Sequence, residues 1–184
     1  MKFTIILFIN LLLCSAAAKS YAGLQELYEV RRAFYTMGTT LEFNLVCSDK
    51  EHCLNIINSC IAEVRRIDKV FSNYRDDSEL SMLQITADKK IKVSKEFFEL
   101  TAFSHFISVL TNGGFDITVG PLVNLWKTDS FKNKIPKESV IKSALDRCVG
   151  FNKFNLSSAD NSISFNSDCI NLDFGAIGKG YVLE

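Results

Sequence analysis

The sequence predicts an α+β domain, a mixed, antiparallel-rich sheet packed by helices, and three observations carry that expectation. Leu41, Phe43, Leu45 and Cys47 alternate with polar Glu42 and Asn44, which is the period of a half-buried strand. The period then changes: Leu54, Ile57, Ile61, Val64, Ile67 and Phe71 recur at helical spacing on one face. Further on, two strand-like runs flank Ala159-Asp160-Asn161-Ser162, whose residue types favour a tight turn. Hairpins mixed with helices favour a layered α+β domain over a doubly wound one.

Length and composition set the bounds. A chain of 184 residues that is 47% hydrophobic can bury one sizeable core. Lys+Arg and Asp+Glu balance at 21 each without long blocks, so no basic stripe offers a nucleic-acid surface. A small ligand or another protein is the expected partner.

The N-terminus reads as an address. Lys2 precedes an apolar run from Phe3 to Leu13, and small residues lead to Ser20-Tyr21-Ala22 before Gly23. That is the pattern of a secretory signal peptide over residues 1–22, leaving a mature domain over 23–184. The run is short for a permanent membrane span. Cys14 could instead carry a lipid and anchor the protein to a membrane. Leu13, standing where a small residue is wanted, makes acylation the second choice. The expected location is therefore exported and periplasmic, with attachment to the inner membrane as the variant. Cleavage leaves Cys47, Cys53, Cys60, Cys148 and Cys169, an odd number that requires at least one unpaired or intermolecular thiol. No Cys-x-x-Cys spacing points to a metal. The cysteines read as buried apolar fillers, with one disulfide allowed and its pairing open.

Along the mature chain, Phe34 to Cys47 is expected as a strand. Ser48 or Asp49 then caps a helix that runs to Phe71. Ser72 to Gln84 is polar, a loop with a short helical turn. Ser94, followed by Glu96 and Phe97, opens a helix to about Leu110, and Pro136-Lys137-Glu138 opens another that ends near Gly150. The two strands around the 159–162 turn come next, then Cys169 to Phe174 as a strand, and Gly175 turns the chain into a helix start.

Three segments carry more than their local structure needs. In Thr111 to Leu122, Gly113-Gly114 permits close backbone approach, and Asp116 stands on an apolar strand where a carboxylate needs a partner. The plainer interpretation is a tight turn whose Asp116 caps local amides. In Asn171 to Tyr181, a strand feeds a Gly-rich turn with Lys179, which suits an anion but fits neither a Walker A loop nor a Gly-x-Gly-x-x-Gly fingerprint. In Phe71 to Leu80, Tyr74 could stack on a flat ring, while Ser78 or Asp77 could simply cap a helix.

Together these segments resemble the FAD:protein FMN transferases, the ApbE-like family. The resemblance rests on Met37-Gly38-Thr39, on Asn73-Tyr74 through Ser81, on Thr111 to Trp126 as a long Gly-x-Phe-Asp-Ile-Thr-Val-Gly-Pro-Leu signature, and on Leu172-Asp173 through Lys179-Gly180-Tyr181. Lys127-Thr128 departs from the Gly-Phe-Gly that usually continues the signature, and Glu184 stands for a usual Asp. The resemblance implies an α+β ApbE-like fold and flavin transfer outside the cytoplasmic membrane. In that reaction a threonine hydroxyl of an acceptor protein attacks the FMN phosphorus of FAD, AMP leaves, and FMN stays on the threonine. It implies that Met37, Tyr74, Gly114, Phe115, Asp116, Asp173 and Lys179 hold FAD, and that the Ala176 carbonyl meets Mg²⁺. Family members continue beyond Lys-Gly-Tyr with further Mg²⁺ ligands and a histidine. The chain is therefore expected to be the N-terminal part of a flavin transferase domain, incomplete at its C-terminus and not transferring FMN at a useful rate as written. A non-catalytic flavin-binding module and a non-functional remnant are the alternatives.

Overall fold

A computed structural model describes residues 26–85, 90–130 and 135–184 of the protein. The leader assigned to residues 1–22, the cleavage before Gly23 and the acylation of Cys14 lie outside the described residues. Two compact units are distinguished, one holding Leu41–Cys60 with the strand residues up to Phe34, the other Tyr35–Thr40 with Ile61–Glu184.

Strand β1, Tyr28–Thr36, and strand β2, Thr39–Cys47, form a two-stranded sheet. The single strand expected over Phe34 to Cys47 is thus a hairpin. Its reversal is Met37-Gly38, with φ of 48° and 73°, the left-handed pair that two-residue hairpin turns require. Methionine is a poor advertisement for that geometry, which is why composition hid the turn. Phe34 and Phe43 stack across the strands at 6.3 Å. Helix α1, Lys50–Phe71, follows with the expected cap: Asp49 accepts the amides of Glu51 and His52. Its apolar stripe is as read, with Ile57, Val64, Ile67 and Phe71 buried.

In the larger unit, Ser72 to Ser78 is pinned by side chains. The buried Ser78 hydroxyl donates to the Ser72 carbonyl at 2.7 Å and accepts the Ser81 amide at 3.0 Å. Ser78 thereby caps helix α2, Glu79–Ile85, as one of the two candidates for that role. Strand β3, Ile91–Lys92, was not anticipated; it is too short to carry a period. Helix α3, Lys95–Leu110, starts where Ser94 accepts the Phe97 amide, in agreement with the sequence. A single 3-10 turn, Ile117–Val119, leads into helix α4, Gly120–Ser130, which is not legible in the residue pattern. Helix α5, Glu138–Cys148, and strands β4, Phe154–Ser157, and β5, Ser162–Phe165, fall where expected. The sheet order is β3-β5-β4, antiparallel throughout, with Ile91 opposite Ile163 and Leu156 opposite Ile163 on the other side.

The strand expected over Cys169 to Phe174 is not formed: Cys169 lies in a turn and residues 170–174 belong to no helix or strand. The alternation is real, since Ile170, Leu172 and Phe174 are buried while Asn171 and Asp173 are half-buried. The Asp173 amide donates to the Ile117 carbonyl at 2.7 Å. A turn over 175–177 then starts helix α6, Gly178–Leu183.

The core of this unit is aromatic at its centre. Phe71, Phe97 and Phe174 meet pairwise at 5.2–5.7 Å, and Tyr181 lies edge-on to Phe71 at 5.5 Å. The Tyr181 hydroxyl donates to Glu96 at 2.9 Å, and Arg66 grips the same carboxylate with two bonds of 2.6 and 2.8 Å. Burial first, then the bond to Glu96, pushes Tyr181 up to about 12, while Arg66 holds Glu96 below the usual carboxylate range. This network holds α6 against α3 and so fixes the turn before it.

The cysteines correct the filler expectation. Cys47 pairs with Cys53, and Cys148 pairs with Cys169, leaving Cys60 free and half-buried. Cys47 and Cys53 are local, six residues apart, whereas Cys148 and Cys169, 21 apart, are brought together by tertiary structure that spacing alone does not reveal. The odd thiol required by the count is Cys60.

Candidate functional site

Met37, Tyr74 and Lys179, from three distant segments, line one shallow cleft with Phe71, Ser72, Asn73, Phe174 and Gly175; its cavity volume is about 30 Å³. The hairpin turn presents Met37, whose methyl lies 3.3 Å from where a Cβ on Gly178 would stand. A Cβ on Gly38 beside it would lie 2.9 Å from the exposed Tyr74 ring and push it aside. Its positive φ favours glycine. The Tyr74 ring is 66% exposed, with the Lys127 ammonium 4.9 Å from its centroid. Lys179 donates from its Nζ to the Gly175 carbonyl at 2.9 Å, so its charge lies over the turn that precedes α6.

A second cavity of about 90 Å³ is lined by Asn73, Gly120, Asn124, Lys127, Asn171 and Asp173. Asn73 lines both. Gly120, Asn124 and Lys127 are spaced by four and three residues, hence one face of α4. That face can approach because residue 120 is glycine: a Cβ would fall 2.5 Å from the Asn171 carbonyl oxygen. Asp173 accepts the Gly175 amide at 2.7 Å and so shapes the turn while facing the cavity. The arrangement places an apolar, aromatic surface next to a polar one, with lysines at both.

The remaining assigned residues lie elsewhere. Gly114 and Ala176 are exposed, and Phe115 packs on the core; with Asp116 they line neither cavity. Asp116 is not on a strand. It is the extended residue that caps the 3-10 turn, its Oδ1 accepting the Thr118 amide at 2.8 Å and the Thr118 hydroxyl at 2.7 Å. Thr118, fully buried, in turn accepts the Gly150 amide at 2.7 Å. The capping interpretation of Asp116 is the one that the hydrogen bonds support. Asp116→Ala should therefore lower ligand-free stability by about 1–2 kcal/mol, the loss of a cap and a buried partner, read as a lower urea midpoint. An unchanged midpoint would return Asp116 to a purely ligand-facing role.

Asn124, Asn171, Gly120 and Lys127 were not identified from sequence. The available signal was the spacing of 120, 124 and 127, legible only once that stretch is known to be helical.

The comparisons with known proteins follow the same segments. The ApbE family model matches residues 37–184. A FAD:protein FMN transferase of Klebsiella pneumoniae (strain 342) is 27% identical over 154 residues, covering 81% of this chain and 44% of that protein. One from Vibrio cholerae (classical Ogawa 395) is 33% identical over 123 residues, 64% of this chain and 36% of that protein. The crystal structure of the ApbE protein of Thermotoga maritima superposes with a TM-score of 0.73 at 25% identity, covering 86% of this chain and 50% of that one. The flavin transferase ApbE from Vibrio cholerae gives 0.72 at 23% identity, covering 85% and 51%. The chain spans about half the length of the curated relatives it matches. The α+β class expected from the sequence is the class of these folds.

Proposed function

This chain belongs to the ApbE family, and from that membership we propose that it binds FAD as part of a FAD:protein FMN transferase, which moves FMN to a threonine of an acceptor protein. The observation that carries the proposal is the joining of Met37, Tyr74 and Lys179 in one cleft, with Asp173 in the adjoining cavity. Tyr74 and Met37 offer a surface for a flat ring. Lys179 suits an anionic pyrophosphate more than a neutral group. Asp173 would accept a hydroxyl or ring N–H of the same ligand. Gly114, Phe115 and Asp116, which line neither cavity, would reach the ligand only where it extends past them.

Mg²⁺ supplies charge neutralisation to pyrophosphate chemistry when bound. The described residues contain no group of three or more His, Cys, Asp or Glu able to hold a metal ion. The backbone carbonyl of exposed Ala176 would be a single oxygen of the six that Mg²⁺ wants. That set does not fit the ion, and no step is assigned to it. What the chain's own residues do is bind and orient the flavin nucleotide.

Export to the periplasm is part of the proposal. The two disulfides support an oxidising compartment, and no helix of the described residues is long and apolar enough to cross a membrane.

The test is titration of the purified chain with FAD, followed by flavin fluorescence. Wild type should bind, and Tyr74→Ala should weaken binding about tenfold by losing the ring surface. Because Tyr74 is largely exposed, its melting temperature should stay near that of wild type. Absence of FAD binding by wild type would overturn the proposal, and binding without loss in the variant would remove Tyr74 from the site.

A further inference from the structure

Lys127 sits where the two cavities meet. Its ammonium lies over Tyr74, which lines the aromatic cleft, while its side chain lines the polar cavity with Asn73, Asn124, Asn171 and Asp173. The last turns of α4 put it there, since Gly120 locks the start of that helix on Asn171 and Lys127 follows two turns later on the same face. Among the side chains described, which leave out residues 128–130, no carboxylate lies within ion-pair distance of its ammonium. The cation therefore rests on an exposed ring face, a weak contact that a better partner can replace.

We infer that Lys127 is a specificity-determining residue of this cleft, selecting phosphorylated flavins over riboflavin. The inference rests on the flavin reading proposed above. A flat ring stacking on Tyr74 takes the surface that the ammonium covers, and the freed ammonium stays beside the polar cavity. A phosphate attached to that ring meets a cation there, together with the side-chain amides of Asn124 and Asn171. It also meets the Asp173 carboxylate, whose repulsion of a phosphate Lys127 offsets. Riboflavin brings no charge, so it displaces the ammonium from the ring and returns nothing. The same lysine thus disfavours the uncharged ring and favours the phosphorylated one.

The experiment compares riboflavin, FMN and FAD in fluorescence titrations of wild type, Lys127→Met and Lys127→Arg, each at low and high salt. Wild type should prefer FMN to riboflavin, and the preference should shrink with salt. Lys127→Met should lose roughly tenfold for FMN and FAD, as expected for one charge-assisted bond, while riboflavin binding is unchanged or rises by a few-fold. Lys127→Arg should keep the preference. Equal weakening of all three ligands by Lys127→Met, or no change in any, overturns the inference while leaving a flavin site in place. Failure of wild type to bind any of the three overturns the flavin reading and this inference with it.

Discussion

Phe97→Ala should lower the unfolding free energy by about 3–5 kcal/mol, the cost of removing a phenyl ring from a core that cannot close over the gap. Phe97 is fully buried. It touches Phe71 and Phe174 at ring distances of 5.7 and 5.4 Å, and these two also line the aromatic cleft. The cavity left behind would therefore open directly beneath the candidate site. Urea unfolding should show a lower midpoint with an unchanged slope. Leu, which keeps part of the volume, should recover about half of the loss. A cost below about 1 kcal/mol would mean that the ring cluster is not the centre of the core.

The second large effect concerns the bond between Cys148 and Cys169. It closes a loop with a sequence separation of 21, so replacing both cysteines by alanine should cost about 3 kcal/mol by freeing the unfolded chain. The bridge joins the end of α5 to the segment that continues into Asn171 and Asp173. Flavin affinity should fall along with stability, because the polar cavity loses the anchor of one wall. Mass spectrometry of exported, unreduced protein should find Gly23 at the N-terminus, two disulfides and a single alkylatable thiol, Cys60. Intact Met1 in cytosolic material, or three or more free thiols, would defeat the export proposal.

Local signals were legible in the sequence wherever one residue does the work. Asp49, Ser78 and Ser94 cap helices because a side-chain oxygen two or three residues ahead of an amide is a short-range event. The turn before Ser162 was legible for the same reason, with Asn161 at φ 49°. Positions defined by distant partners were not legible. Cys169 to Phe174 has the alternation of a strand, yet its alternating side chains serve the core without a ladder beside them. The Asp116 stretch reads as a strand from its apolar neighbours, but two hydrogen bonds from Thr118 bend it into a capped turn. Helix α4 was hidden because its apolar residues are crowded rather than periodic. Met37, Tyr74, Asp173 and Lys179 were singled out through the resemblance to a family; the polar residues around them emerge only from the folded chain.

The bond from Tyr181 to Glu96 spans 85 residues, and it holds the helix that carries Lys179. Contacts of such long range form late, since the intervening chain must be ordered before they repay its entropy. During synthesis, Met37 and Tyr74 emerge long before the segment that completes their cleft. The ligand surface is therefore incomplete until that segment joins Met37 and Tyr74. Until then the aromatic residues beneath it are open to solvent, and early in synthesis this segment is a client for whatever shields nascent apolar chains.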